Sequence, residues 1–247
     1  MAATVTESQQ PYASAAVRIS FIKIIENNDI NGLLDAYTHN PSPADIGRSF
    51  KYICELGRED LFKIVVEKSI DVISNWDLEW GYKLASEGGF KNLTDALDPY
   101  QQRIGDHHKG WAMKLAYEKD HIDLVKDQLQ KYGGQINAQT KGWLVKRAAE
   151  KGDFSFLTIL SQYKEEISAH DAGWALKLSS ELGFVDVVKS LLVDYNERIT
   201  PHDKGWAVRF ALEKNHSETA VLIHKNIGAS GTNDYNQWAK KQDVLIA

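Results

Sequence analysis

The side chains best suited to chemistry fall into a few sets. His107, His170 and His202 each stand three residues before a Gly-Trp pair, and the last two are followed directly by Asp171 and Asp203. Histidine beside aspartate is the make-up of a metal site or of a proton-transfer pair. Metal ligands, however, must converge at about 2 Å from one ion. These histidines lie one or more repeats apart, so loop bracing or partner contact is expected of them, with no metal and no cofactor. A second set is the segment Asn75-Trp76-Asp77-Leu78-Glu79-Trp80. Indoles around Asp77 and Glu79 could exclude water, raise a carboxyl pKa and prepare the group for acid-base work. A third is a file of basic residues, Lys51, Lys83, Lys114, Lys146, Lys177, Arg209 and Lys240, which in register could line a groove for a polyanion. The lone cysteine, Cys54, permits no disulfide within the chain and reads as packed in a helix. There is no Walker loop, dinucleotide fingerprint, zinc-protease motif or nucleophile elbow.

What positions these residues is a period. Trp80, Trp111, Trp143, Trp174, Trp206 and Trp238 recur at steps of 31 or 32 residues, the mark of a repeat array. In this file the basic residue follows each Trp from Trp80 to Trp206 by three positions, and a glutamate column, Glu55, Glu87, Glu118, Glu150, Glu181 and Glu213, lies four further on. Two residues later stand Gly57, Gly89, Asp120, Gly152, Gly183 and Asn215. Gly, Asn and Asp tolerate positive φ at low cost, so this column predicts a left-handed stop between two helices. Asp60, Asn92, Asp123, Ser155, Asp186 and Glu218 then suit the first turn of the second helix. In the repeat His107 to Asn137, the first helix is expected from Trp111 to Glu118 and the second through Leu124, Val125 and Leu129 to Gly133-Gly134. A turn-rich loop of about eight to ten residues should lead to the next Gly-Trp.

Two helices this short cannot bury their apolar faces alone, but in series they can. The expected fold is therefore an all-α solenoid of about seven stacked helix-turn-helix units plus a C-terminal half-repeat cap. Its organisation would be a disordered tail at 1–13 and a single domain over 14–247, with units near 14–43, 44–74, 75–105, 106–137, 138–168, 169–200 and 201–232 and a cap at 233–247. Asn28 and Asp29 occupy the turn of the first, more degenerate unit.

The run Trp111-Ala-Met-Lys-Leu-Ala lies over the ankyrin pattern Thr-Pro-Leu-His-x-Ala, Asp120-His121-Ile-Asp-Leu-Val over its Gly-His segment, and Gly133-Gly134-Gln-Ile-Asn137-Ala over its closing loop. Over residues 14 to 245 the chain thus resembles the ankyrin-repeat family, as a divergent variant with Trp-Ala-x-Lys/Arg in place of Thr-Pro-Leu-His. The resemblance implies an ankyrin-like stack that binds another protein. It also implies that some other contact replaces the family's Thr and His, which bridge neighbouring loops. The tetratricopeptide repeat also places Trp near a helix start, but its later Gly, Ala and Pro landmarks are missing here.

The net charge of −5 argues against nonspecific binding to nucleic acid or an anionic membrane. No apolar stretch of about 18 residues could span a bilayer. The opening residues lack the basic start and apolar middle of a signal peptide, so a cytoplasmic, monomeric protein is expected. Each basic residue of the six complete units has a Glu four positions later on the same helix. Such pairs, worth about 0.3–0.5 kcal/mol each, would cancel the positive field and disfavour nucleic acid. Equivalent positions on stacked helices sit roughly 8–10 Å apart, too wide for continuous indole stacking, so the Trp column is expected in the core.

The resulting expectation is a non-enzymatic interaction scaffold that binds a protein through a concave face and through projecting loops at 73–79, 104–109, 136–141, 167–172 and 199–204. Its contacts would be Trp76, Asp77, Glu79, His107, Lys109, Lys141, His170, Asp171, His202 and Lys204. The alternatives are an enzyme or small-ligand binder using the groove with Asp77 or Glu79 as acid or base, and a nucleic-acid binder.

Overall fold

The computed structural model describes residues 15–227. The expected tail at 1–13, the cap at 233–247, Trp238 and Lys240 lie outside them. The described residues form helices and turns only, in seven helix pairs. The pairs are α1 (Ala15–Glu26) with α2 (Ile30–Thr38), α3 (Pro43–Leu56) with α4 (Glu59–Ser69), α5 (Asn75–Glu87) with α6 (Lys91–Ala96), and α7 (Asp106–Glu118) with α8 (Ile122–Tyr132). They continue as α9 (Ala138–Lys151) with α10 (Phe154–Leu160), α11 (Ala169–Glu181) with α12 (Val185–Tyr195), and α13 (Pro201–Glu213) with α14 (Ser217–His224). Short 3-10 turns, Asp98–Arg103 and Ser161–Glu166, extend the third and fifth pairs. No described helix is long and apolar enough to cross a membrane.

The chain divides into two compact blocks between Tyr132 and Gly133. In the first, α1, α3, α5 and α7 pack in series as one layer, and α2, α4 and α6 pack in series as another. In the second, α9, α11 and α13 form the first layer and α10, α12 and α14 the other. The predicted turn column explains how each pair reverses. Asn28, Gly57, Gly89 and Asp120 in the first block, and Gly152, Gly183 and Asn215 in the second, all have positive φ, between 51° and 74°. Here the chain leaves the first helix in the left-handed conformation and re-enters the helical region within two residues.

The helix starts differ from expectation. The first helix of the fourth repeat begins at Asp106 rather than Trp111, and the links 70–74, 133–137 and 196–200 between pairs are five residues each. The cause is N-capping. Ser42, Ser74, Asn137, Ser168 and Thr200 have extended backbones, and their side chains accept hydrogen bonds from the backbone N–H three residues on. The stretches expected as projecting loops are therefore caps and first helical turns.

The tryptophans also differ. Trp111, Trp174 and Trp206 are exposed, each by more than a third. On α7 the buried stripe is Lys109, Gly110, Ala112, Met113, Ala116 and Tyr117, and Trp111 sits beside it. Small Gly and Ala on the inner face let the first helices approach closely and leave no room for an indole between them.

Candidate functional site

The first-layer helices are joined by a recurring ion pair. Lys51 Nζ meets Asp77 at 2.7 Å across α3/α5, Lys146 meets Asp171 at 2.7 Å across α9/α11, and Lys177 meets Asp203 at 2.5 Å across α11/α13. Each aspartate lies in the first turn of the later helix, where the cap hydroxyl of Ser74, Ser168 or Thr200 also donates to it at 2.6–2.7 Å. Burial opposes the charge on Asp171 and Asp203, but the lysine and cap hydrogen bonds outweigh it and hold both carboxyls below the usual aspartate value. Glycine four residues before the lysine makes the approach possible. A Cβ on Gly47, Gly142 or Gly173 would lie 2.3, 2.2 or 2.9 Å from a carboxyl atom of Asp77, Asp171 or Asp203.

These pairs correct the expected pairing of basic and glutamate columns along one helix. Arg209 and Glu213 meet in that way, at 2.7 Å, whereas Lys51, Lys146 and Lys177 pair with an aspartate of the next helix. The lysine heads instead point into the half-buried seam between helices, where a carboxylate is a stronger partner than one in water. Glu87 and Glu181 pair with Lys119 and Lys214 of the following repeat, each at 3.6 Å.

The junction of α5 and α7 breaks the pattern at two positions at once. The glycine column reads Gly47, Glu79, Gly110, Gly142, Gly173, Gly205, and the aspartate column reads Asp45, Asp77, His108, Thr140, Asp171, Asp203. Glu79 and His108 face each other, with His108 Nε2 3.2 Å from Glu79 Oε2. The Gly105 N–H, at the uncapped start of α7, donates to Glu79 Oε1 at 3.1 Å. The two departures compensate each other, since a longer acid on one side meets a base on the other.

They leave Lys83 without a carboxylate. Its ammonium lies 3.7 Å from the ring centroid of Trp80, 4.1 Å from that of Trp111 and 5.9 Å from that of Trp76. Trp80 and Trp111 are 6.0 Å apart and tilted by 57°, so the indoles do not stack on one another but close on a cation. Lys83 is 1% exposed and its Nζ has no hydrogen-bond partner; Trp80 Nε1 and His108 Nδ1 are likewise buried without one. Burial pushes the Lys83 ammonium below its usual value, with Glu79 opposing. Burial also pushes His108 down, Glu79 opposes, and Lys83 and His107 add to the lowering.

The residues expected as partner contacts divide sharply. Trp76 is 57% exposed, and His107, His170 and His202 are exposed on first turns, each against the Trp four residues on with ring centroids 6.3–6.4 Å apart. Trp206 Nε1 donates to His202 Nε2 at 3.2 Å. Asp77 and Asp171 are held in the ladder. Asp77 and Glu79 do not share a pocket, because Asp77 turns back to Lys51 of α3 and Glu79 turns forward to His108 of α7.

Lys109, Lys141 and Lys204 are buried rather than presented, because two positions before Trp faces inward. Their heads reach polar or aromatic partners within the same repeat. Lys109 reaches Asp106 at 3.1 Å and the face of Tyr132, Lys141 reaches Glu166 and Tyr163, and Lys204 donates to the Asn226 carbonyl at 2.9 Å. Burial lowers the Lys204 pKa. Cys54 is fully buried, which pushes its thiol up, away from a reactive thiolate. Among the described residues no three His, Cys, Asp or Glu side chains gather as metal ligands.

Lys83, His108 and Trp111 were absent from the expected contacts. Their signal is in the columns, since Glu79 and His108 depart at the same junction, but it emerges only when each position is compared with its neighbours in register. No family model, curated protein or solved structure matches this chain.

Proposed function

We propose that the chain is a non-enzymatic, ankyrin-like repeat array that binds another protein through the first turns of its first-layer helices. The observation that carries this reading is the recurrence of exposed indoles: Trp76 and Trp111 in the first block and Trp174 and Trp206 in the second all show more than a third of their surface to solvent. A soluble chain exposes few side chains this large without use, and indoles anchor binding surfaces because they carry much apolar area and one polar handle on two torsions. Histidines 107, 170 and 202 beside them supply polar contacts from the same turns. The period of 31 or 32 residues and the left-handed turn in each pair support the ankyrin-like assignment.

The test is the combined replacement of Trp76, Trp111, Trp174 and Trp206 by serine, with circular dichroism as the check of fold. Affinity capture from native cytosol should recover a stoichiometric protein with the unmodified chain and lose it with the variant. Equal recovery by both would overturn the assignment of the surface.

A further inference from the structure

The array supplies its own control for the α5/α7 junction. Across α3/α5, α9/α11 and α11/α13, the basic residue of one helix is met at 2.5–2.7 Å by a carboxylate from the next. Across α5/α7 the cation is kept and the carboxylate is missing. An ammonium carries three N–H donors, and at Lys83 none finds an acceptor although the residue is 1% exposed. The indoles of Trp80 and Trp111 stabilise the charge but accept no hydrogen bond in the plane where a carboxylate oxygen would. The buried Trp80 Nε1 adds a further N–H with no acceptor in the same cluster. Unsatisfied buried donors of this kind are rare and call for a missing acceptor.

We infer that the α5/α7 junction is a binding site for a carboxylate brought from outside the chain, which meets the Lys83 ammonium beside the indoles and serves it as Asp77, Asp171 and Asp203 serve the equivalent lysines. Trp76 is the door. It stands in the first turn of α5, is more than half exposed, and at 5.9 Å from Nζ is the most weakly engaged of the three indoles, so rotation of its side chain uncovers the ammonium while Trp80 and Trp111 remain in place. Glu79 sets selectivity. Its carboxylate is drawn aside by His108 and the Gly105 N–H, yet its charge remains beside the site and penalises a doubly charged anion more than a singly charged one. The site therefore takes a single carboxylate in preference to sulfate or phosphate. The inference does not rest on recognition of a protein by the exposed indoles, because the carboxylate can arrive as an acidic side chain or on a small acid.

The experiment uses the full chain and two probes, the terminally blocked peptide Gly-Asp-Gly and free propionate, with sulfate as the competing anion. Indole fluorescence and calorimetry should show saturable one-to-one binding of at least one carboxylate, about tenfold tighter than sulfate. Peptide alone binding identifies the ligand as a side chain of a partner segment, and propionate binding identifies it as a small acid. In the unmodified chain the same titration should shift the side-chain carbon resonance of Lys83 before that of any other lysine. Lys83→Met and the paired reversal Glu79→Gly with His108→Asp, which restores the arrangement of the other junctions, should each weaken binding at least tenfold. If Lys83→Met does not fold, the paired reversal and the Lys83 resonance decide. Absence of saturable binding by both carboxylates, equal binding of sulfate, or binding that survives the paired reversal would overturn the inference.

Discussion

Two junctions of one repeat solve the same packing problem with different residues. At α9/α11, Gly142 leaves room for Asp171, and Asp171 holds Lys146 at 2.7 Å. At α5/α7, Glu79 fills that room, His108 receives it, and Lys83 is left between two indoles. The first arrangement is closed, since each charged group has its partner within the chain. The second satisfies the helix-to-helix contact but opens the lysine. A repeat therefore gives up a framework contact at one place without losing its fold, provided the departure is made on both sides of the seam. Such a place is where a site is expected.

The largest effect should come from breaking the closed junction on one side only. Gly142→Glu puts a side chain into the space of the Asp171 carboxyl, and should cost about 2–4 kcal/mol in urea unfolding. Adding Asp171→His transplants the α5/α7 pair and should recover at least half of the loss. No loss in the single variant, or no recovery in the double, would show that the two seams are not equivalent.

Next in size are the lysines themselves. Lys146→Met leaves Asp171, mostly buried, without its partner and should cost about 1–2 kcal/mol. Lys83→Met removes a buried charge that has no hydrogen bond and replaces it with an apolar chain of similar length, and the change should lie within about 1 kcal/mol of zero or favour the folded state. Urea midpoints of the two variants, measured side by side, check the contrast.

The smallest effect is in pH. His108 is held below its usual value, so the unfolded chain takes up this proton first, and stability from this group is full above about pH 6.5 and is lost as the pH falls from there toward the lower folded value. The groups facing it are Glu79 and Lys83 from α5 and His107 on α7. Asp171 and Asp203 are also lowered, but their contribution is present above about pH 3.9 and is lost as the pH falls through their folded values. Urea unfolding at stepped pH should show a mildly acidic component that His108→Gln removes, and a separate component below about pH 3.9 that Asp171→Asn reduces.

Much of the framework was legible in the sequence, because it depends on local chemistry. The left-handed column from Gly57 to Asn215 follows from which residues tolerate positive φ, and the pairing of helices follows from the period. The helix starts were misplaced although Ser74-x-x-Asp77 and Ser168-x-x-Asp171 are capping signals, because polar residues before a Gly-Trp also read as loop. The partners of the basic column were misassigned because spacing along one helix says nothing of the neighbouring helix, whose Asp77, Asp171 and Asp203 reach the lysines first. The bulk of Trp111, Trp174 and Trp206 suggests core, whereas the inner faces of α7, α11 and α13 carry Gly and Ala there and leave these indoles exposed. Lys109, Lys141 and Lys204 read as surface charges, yet their long stems cross the core and only their heads reach polar partners.

The most direct test of the open junction is the titration of the Lys83 side chain in the folded protein, followed by nuclear magnetic resonance with labelled lysine. The amine should titrate below the usual lysine value. In Glu79→Gly with His108→Asp, where a carboxylate again meets the ammonium, it should rise above that value. A Lys83 amine that titrates at or above the usual value in the unmodified chain would contradict the account.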